Sequence, residues 1–413
     1  MNNQLNDSHP LRNTFLANAI RAIGIGKHGS KPLPSAFIEG CKTEFTSPTV
    51  NQTQAGAFFG ALSVKSKHTA EELELLAFCK AKLAVGETAL LLQSSVIPAE
   101  ITALANKLLD KNNLLKNEAL ALGNYIFSID ENFDFIRGIA ASVTRVRYET
   151  DEELEAFYEV LKNNFSTDFD IPHSNSTQLK IQLAEPFDGN EHSPIITPLL
   201  ANNLIENNYQ PILITGKNPG PKFNLNLFDL LNELKNDDSI SYPIINCTEL
   251  SNNWKYWLDI RFAIIKRPFL STIEKIFNPL KADVLISSVY HITYQEKMIS
   301  LSFKAGFKAA IVMKRGLEGS LTPNTSKGCS ILCAVKKDDG TIEKINFDLQ
   351  HPAMQPFITT EEITFENITI QQNAEWIINY NVNKKSGNFN FDNCTNAAEK
   401  LYDLGLNWIK ENW

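Results

Sequence analysis

Apolar residues recur at helical spacing over the first part of the chain, from about residue 14 to residue 161. Within this stretch, Thr69 and Thr150 are each followed three residues later by a glutamate, Glu72 and Glu153, which is the spacing of a capping box at the start of a helix. We therefore expect a helical N-terminal region with helices that begin near these threonines. The buried face of the helix after Thr69 is predicted to carry Leu73, Leu76 and Ala77.

The helical region contains two similar segments. The segment GAFFGALSVK begins at Gly56 and GIAASVTRVR begins at Gly138, so that a glycine, a valine and a basic residue recur 82 positions apart. A capping box follows each segment, with one extra residue before it in the first copy. This shared order indicates an internal duplication of a small helical unit. The alternative is that capped helices resemble each other without common origin.

After a polar linker at 166–177 the pattern changes to short apolar, β-rich runs that alternate with helical stretches. This alternation is typical of βαβ units and predicts a mostly parallel sheet. Turn residues at Asp338-Asp339-Gly340 predict a hairpin. The predicted strands are 179–184, 211–215, 284–289, 309–313, 330–336 and 342–348, and the predicted helices are 198–207, 294–304, 373–380 and 393–407.

The charge, the cysteine spacing and the motifs of the chain restrict the classes of function that are possible. The 39 Lys and Arg against 47 Asp and Glu give a net charge of -8, which excludes a uniformly basic nucleic-acid coat but leaves a local basic face open. The six cysteines lack zinc or disulfide-framework spacing. The chain has no leader pattern and no long apolar run, so we expect a cytoplasmic protein without a membrane anchor. Walker, Rossmann and catalytic-triad patterns are absent from the sequence.

Several segments resemble, in the same order, those of the anthranilate phosphoribosyltransferase family, the family 3 glycosyltransferases. The resemblance runs from about residue 95 to near the end of the chain. It implies an α/β fold class: an N-terminal helical domain, here internally duplicated, plus an α/β domain with a central mostly parallel sheet. The segments are RVRYETDEEL (145–154), KIQLAEPFDGNEH (180–192), IIKRP (264–268), SSVYH (287–291), AIVMKRGLEG (310–319) and QNAEWII (372–378).

The resemblance also implies the domain limits and the assembly. Residues 1–90 form the extra helical copy, residues 91–172 form the family's helical domain, and residues 173–413 form the phosphoribosyltransferase-like domain. Residues 252–279 are expected to complete the helical domain. Family topology further implies a cleft between the domains and a homodimer formed through the helical domain.

Three departures from the family's pattern concern the binding of phosphoribosyl pyrophosphate. The family's G-T-G-G-D loop, whose glycines let main-chain N–H groups approach phosphate, corresponds here to residues 185–192, with one glycine and added carboxylates. The K-H-G-N-R segment corresponds to 215–222, where Lys217 and Lys222 remain without an arginine fork. The Asp-Glu pair that holds magnesium is reduced to Glu318, a weak candidate for the metal. Authentic anthranilate phosphoribosyl transfer is therefore not expected.

The first functional hypothesis is a divergent phosphoribosyl or glycosyl transferase-like protein of unknown acceptor, with phosphoribosyl pyrophosphate as partner and Mg²⁺ as cofactor if Glu318 suffices. Arg267 matches the family's arginine position; the alternative is an ordinary ion pair with Asp259 or Glu274. His192 is either a general acid or base or a surface residue. The predicted substrate-binding residues are Asp188, Gly189, Asn190, His192, Lys217, Lys222, Arg267, Lys314 and Arg315.

The second hypothesis is a non-catalytic nucleic-acid-binding protein, as in a divergent, non-tryptophan branch that the chain resembles through Gly24-Ile-Gly-Lys27. A cluster of cations could neutralise several phosphates. Trp254 and Trp257 are candidates for base stacking or, with their spacing of three, for an interdomain or dimer contact. A protein-docking role for the extra helical copy is a third possibility. The candidate cations are Arg145, Arg147, Lys217, Lys222, Arg261, Lys266, Arg267, Lys314 and Arg315.

Overall fold

A computed structural model describes residues 9–26, 29–85, 92, 95–164, 178–217, 225–235, 242–289, 293–326, 328–366 and 368–413. Contacts between Cα atoms divide the chain into two compact units. The first consists of Met1–Phe165 with Glu249–Ile273, and the second of Ser166–Thr248 with Glu274–Trp413. The first unit is therefore discontinuous in sequence.

The first unit is helical. Its helices are α1 (Phe15–Ile23), α2 (Ser35–Phe45), α3 (Gln52–Val64), α4 (Ala70–Ala84), α5 (Ala99–Leu109), α6 (Lys116–Ile126), α7 (Asp134–Arg147), α8 (Asp151–Asn163) and, later in the chain, α11 (Asn252–Ile264). Capping boxes at Thr69 and Thr150 open α4 and α8, as predicted. The predicted buried face of α4 is wrong, because Leu73 is 54% exposed and the inward positions are Glu72, Leu75 and Cys79.

Aromatic side chains form much of the core of this unit. The ring of Phe45 packs on Phe59 and Phe135, joining α2, α3 and α7. From α11, the buried indole of Trp257 packs on Phe127 and donates its Nε1–H to the carbonyl of Ile126 at 2.6 Å. This contact attaches α11 to the end of α6 within the helical unit.

The second unit is built on one sheet of seven described strands. They are β1 (Lys180–Ala184), β2 (Gln210–Thr215), β3 (Ile244–Asn246), β4 (Val284–Val289), β5 (Ala309–Lys314), β6 (Ser330–Lys336) and β7 (Ile342–Asp348). The strand order is β3-β2-β1-β4-β5-β6-β7. Neighbours from β3 to β5 pair in parallel, whereas β5-β6 and β6-β7 pair antiparallel. The predicted hairpin is confirmed.

Helices cover the buried strands. They are α9 (Thr197–Glu206), α10 (Leu227–Leu234), α13 (Tyr294–Lys304), α14 (Ile370–Asn383) and α15 (Phe389–Glu411). The short helix α12 (Leu270–Ile276) crosses the limit between the two units. Alternate residues of β1, β4 and β5 share one apolar core with side chains of α9, α10, α14 and α15. From α13, Gln295 donates to the carbonyl of Val312 on β5.

The fold class predicted from the sequence is confirmed: a helical N-terminal region accompanies an α/β unit with a mostly parallel sheet. Over the part of the chain described, none of the helices combines the length and apolar character that a bilayer crossing requires.

Candidate functional site at the carboxyl ends of the central strands

The strand order places a topological switch point in the second unit. The chain leaves β1 toward β2 on one side, while β4, the other neighbour of β1, continues to β5 on the opposite side. In open α/β sheets, ligands bind outside the carboxyl ends of the strands at such a point. The loops that follow β1, β4 and β5 are therefore the candidate site.

Glu185 follows β1 directly, and its side chain is buried, with 2% of the residue exposed. Its carboxylate accepts hydrogen bonds from Thr197 Oγ1 at 2.8 Å and from the main-chain N–H of Leu321 at 3.1 Å. Thr197 is the first residue of α9, where the helix dipole favours an anion. A carboxylate of the chain itself therefore satisfies two hydrogen-bond donors beside the N-terminus of α9.

Glu318 supplies a second carboxylate from the turn after β5. Its Oε2 accepts the main-chain N–H groups of Glu191 at 2.7 Å and of His192 at 2.8 Å. Two successive main-chain N–H groups that converge on one oxygen form an anion-binding nest. Glu318 itself has a left-handed backbone, with φ of 50°.

A third carboxylate holds the first part of the same loop. Glu274, with 0% exposure, accepts the main-chain N–H of Phe187 at 2.9 Å. The ring of Phe187 packs on Gly216, the residue after β2, so closely that a Cβ at Gly216 would lie 2.5 Å from it. The loop is therefore fixed by apolar packing as well as by carboxylates.

The turn after β5 also closes on the loop after β1 through hydroxyl groups. Thr322 Oγ1 donates to the carbonyl of Pro194 at 2.8 Å, and Ser288 Oγ at the end of β4 donates to the carbonyl of Gly319 at 2.6 Å. The hydroxyl of Tyr402 donates to the carbonyl of Leu321 at 3.1 Å. Burial and, after it, the charge of Glu185 raise the pKa of Tyr402 well above its usual value, so this donor stays protonated.

The predicted residues of the loop lie in this arrangement. Asp188 is fully buried and Asn190 nearly so, and Asn190 pairs with Leu225 through two main-chain hydrogen bonds. Gly189 has φ of 71°, and a Cβ there would lie 2.1 Å from the carbonyl oxygen of Leu225. His192 is exposed. Glycine is thus required at position 189 both by its backbone conformation and by the close approach of another segment.

Three of the predicted cations of this unit lie at or just after the ends of strands. Lys217, two residues after β2, and Arg315, directly after β5, are exposed, while Lys314 at the end of β5 is half-buried. Lys222 lies outside the described residues. Lys314 and Arg315 shortly precede Glu318 in the sequence, at the end of β5.

The other predicted cations belong to the helical unit. Arg145 donates to the carbonyl oxygens of Gly24 and Arg267, and Arg147 pairs with Glu153 at 2.5 Å. Arg261 is fully buried. Lys266 and Arg267 are half-buried. The structure therefore divides the predicted set of cations between two units.

Base stacking by Trp254 and Trp257 is not possible in this conformation, because the two residues are 1% and 0% exposed. Both lie on α11, and Trp257 contacts Phe127 and Phe269 inside the helical unit. These tryptophans are therefore core residues of that unit.

Magnesium at Glu318 stays a prediction. Among the residues that the structure describes, no group of three or more His, Cys, Asp or Glu is arranged to hold a metal ion. A metal at Glu318 would have to share the carboxylate with the N–H groups of Glu191 and His192.

Sequence reasoning did not include Glu185 and Glu274 among the site residues. The hydrogen-bond donors to both glutamates are main-chain N–H groups and one hydroxyl that belong to other segments of the chain. Glu274 and its donor Phe187, for example, are 87 positions apart in sequence. The one available signal was the added carboxylates of the segment 185–192, which include Glu185; no pattern in the sequence marked Glu274.

Comparison with solved structures shows the fold. The chain is similar to anthranilate phosphoribosyltransferase (TrpD) from Thermus thermophilus, with a TM-score of 0.51, 11% identity, and coverage of 74% of this chain and 89% of that one. It is also similar to the Saccharomyces cerevisiae enzyme in complex with PRPP and Mg, with a TM-score of 0.52, 12% identity, and coverage of 76% and 91%. No family model matches the chain, and a search of curated proteins finds no match.

Proposed function

We propose that this chain is a divergent phosphoribosyltransferase-like protein that does not carry out authentic anthranilate phosphoribosyl transfer. The fold supports the first part of the proposal, since solved anthranilate phosphoribosyltransferases share it. One observation supports the second part: glutamates of the chain itself accept hydrogen bonds from donors in and beside the loop after β1. These glutamates are Glu185, Glu274 and Glu318.

The physical argument rests on competition between anions. A diphosphate that binds at this loop needs main-chain N–H groups, and those of Glu191 and His192 already donate to Glu318. Placing a phosphate beside that carboxylate adds repulsion, which amounts to several kcal/mol for unit charges about 4 Å apart near a protein surface. Phosphoribosyl pyrophosphate would therefore have to displace Glu318 before it could bind.

The acceptor of any residual transfer is unknown. Lys217 and Arg315 are the exposed cations at the ends of β2 and β5, and they would be the groups to contact a phosphorylated ligand.

Calorimetric titration of the full chain with phosphoribosyl pyrophosphate and Mg²⁺ tests the proposal. We expect no saturable heat up to millimolar ligand. The yeast anthranilate phosphoribosyltransferase, whose solved complex contains PRPP and Mg, is the positive control under the same conditions. Saturable binding in the micromolar range would contradict the competition between Glu318 and the diphosphate on which the proposal rests.

Nucleic-acid binding is the alternative function, supported by the exposure of Lys217 and Arg315 at the same edge of the sheet. Fluorescence anisotropy with short DNA and RNA at two salt concentrations separates the two functions. The alternative predicts binding that weakens steeply with salt and is lost on charge reversal, K217E with R315E. The proposed phosphoribosyltransferase-like function predicts no binding of DNA or RNA even at low salt.

A further inference from the structure

The helices α3 and α7 cross at a pair of glycines. A Cβ added to Gly56 would lie 2.0 Å from the carbonyl oxygen of Phe135, and a Cβ added to Gly138 would lie 2.1 Å from the carbonyl oxygen of Thr53. Since no side chain fits at these distances, the two backbones touch where the helices cross. Only glycine permits this approach.

The contact is reciprocal. Gly56 and Gly138 are 82 positions apart, and so are their partners Thr53 and Phe135. The second pair of contacts obeys the same rule, because the Cβ of Gly56 would approach Ile139 N and that of Gly138 would approach Ala57 N. Each contact between α3 and α7 thus has a matching contact in which the corresponding residues of the two helices are exchanged. This exchange is the pattern of a two-fold interface between identical subunits.

The segments that flank each glycine helix repeat the same internal contacts. In the first copy, Glu72 accepts the N–H groups of Leu33 and Thr69, each at 2.8 Å, and pairs with Lys65 at 2.5 Å. The glutamate and the leucine are 39 positions apart in sequence.

In the second copy, Glu153 accepts the N–H groups of Leu114 and Thr150, again each at 2.8 Å, and pairs with Arg147 at 2.5 Å. The separation between glutamate and leucine is again 39 positions. The two copies therefore fold alike, and the structure supports the duplication that the sequence indicates.

The crossing also leaves little of either helix exposed. In α3 every residue from Thr53 to Val64 is buried, and in α7 every residue from Phe135 to Val146 is buried except Arg145. A surface that one copy alone would leave open on α7 is covered by α3 of the same chain.

From these contacts we propose that the N-terminal copy takes the place of a second subunit. The two copies pair about a pseudo-two-fold axis, as two subunits would. The face of α7 that packs on α3 is therefore not available to a second chain. The protein is then a monomer. This inference replaces the homodimer through the helical domain that the family resemblance implies, and it does not depend on the function proposed for the second unit.

Sedimentation velocity of the full chain over the micromolar range tests the proposal without any variant. We expect a single species of 46.3 kDa whose mass does not change with concentration. A species of twice that mass, or a mass that rises with concentration in this range, would overturn it.

Glycine substitutions test the two-fold relation itself. Gly56→Ala and Gly138→Ala should each raise the equilibrium constant for unfolding by at least about tenfold, and by similar factors, because each Cβ meets an equivalent carbonyl. Gly60→Ala is the matched control on α3: its Cβ would lie 3.1 Å from the backbone of Ile139, so its effect should be smaller. Strongly unequal effects of the first two changes, or a control effect as large as theirs, would contradict the reciprocal crossing.

Discussion

The carboxylate of Glu318 accepts a hydrogen bond from the main-chain N–H of Glu191 at 2.7 Å. The same oxygen accepts the N–H of His192. Main-chain N–H groups arranged in this way can also donate to a phosphate oxygen. At the start of α9, Glu185 likewise accepts a hydrogen bond from the hydroxyl of Thr197. Side chains of the chain itself therefore accept hydrogen bonds from three donors at this end of the sheet, those of Glu191, His192 and Thr197.

Replacing Glu185 with alanine should lower the free energy of unfolding by about 2–6 kcal/mol. The change removes the acceptor of two buried donors, the hydroxyl of Thr197 and the N–H of Leu321, and each unsatisfied donor costs about 1–3 kcal/mol. Urea denaturation measures the difference. The matched control is Thr197→Val, which removes one donor and should cost less. A Glu185→Ala protein as stable as the parent would show that these hydrogen bonds contribute nothing.

The buried ion pairs of the two helical copies should respond alike. Lys65→Met leaves the fully buried Glu72 without its ammonium partner, and loss of one member of a buried pair costs about 3–5 kcal/mol. Arg147→Met should have a comparable effect through Glu153. Lys42→Met breaks the more exposed pair with Glu39 and should destabilise the protein far less, because solvent screens that pair. Equal thermal stability of all three variants would contradict the role of the buried pairs.

The ionisation of Glu72 predicts acid sensitivity. Burial raises the pKa of Glu72, but hydrogen bonds from Lys65 and from the N–H groups of Thr69 and Leu33 together outweigh it, so the pKa lies below its ordinary value of 4.5. A depressed carboxylate pKa contributes stability that is present above the ordinary value and is lost as the pH falls through the folded-state pKa. Glu72→Gln should therefore flatten the acid limb of a plot of stability against pH. An unchanged acid limb would argue against this linkage.

The raised pKa of Glu399 predicts the opposite dependence of stability on pH, near neutral pH. Burial and, with it, the charges of Asp403 and Glu206 raise the pKa of Glu399 to about 7, against the lowering effect of Lys384. Because the folded state holds the proton more tightly, stability falls as the pH rises from 4.5 toward 7. Glu399→Gln should reduce the loss of melting temperature between pH 5 and pH 8. Glu375→Gln, an exposed change on α14, is the control and should retain the full loss.

Much of the fold follows from local pattern. The strand at 284–289, the helix at 294–304 and the hairpin strands at 330–336 and 342–348 have the predicted limits, because apolar runs and turn residues are local signals. The strand β3 was not predicted, since its three residues are too few to show a period. The buried face of α4 was mistaken because an ion pair, Glu72 with Lys65, turns a charged residue inward.

The site was less predictable for a physical reason. The family resemblance makes Glu318 a weak candidate for a magnesium ligand. Its hydrogen-bond partners, however, lie 127 and 126 positions away and are main-chain groups, which no residue type reveals. Glu185 and Glu274 likewise act on donors of other segments. Whether a carboxylate faces a metal or fills an anion site depends on the tertiary fold.

The most direct test of the central claim is a paired titration of the parent protein and Glu318→Ala with phosphoribosyl pyrophosphate and Mg²⁺. Glu361→Ala, which removes an exposed carboxylate of the same unit, controls for net charge. If Glu318 fills the anion site, the parent and the control show no saturable binding, and Glu318→Ala gains it because the N–H groups of Glu191 and His192 become available. Binding by the parent protein as tight as that of Glu318→Ala would contradict the account.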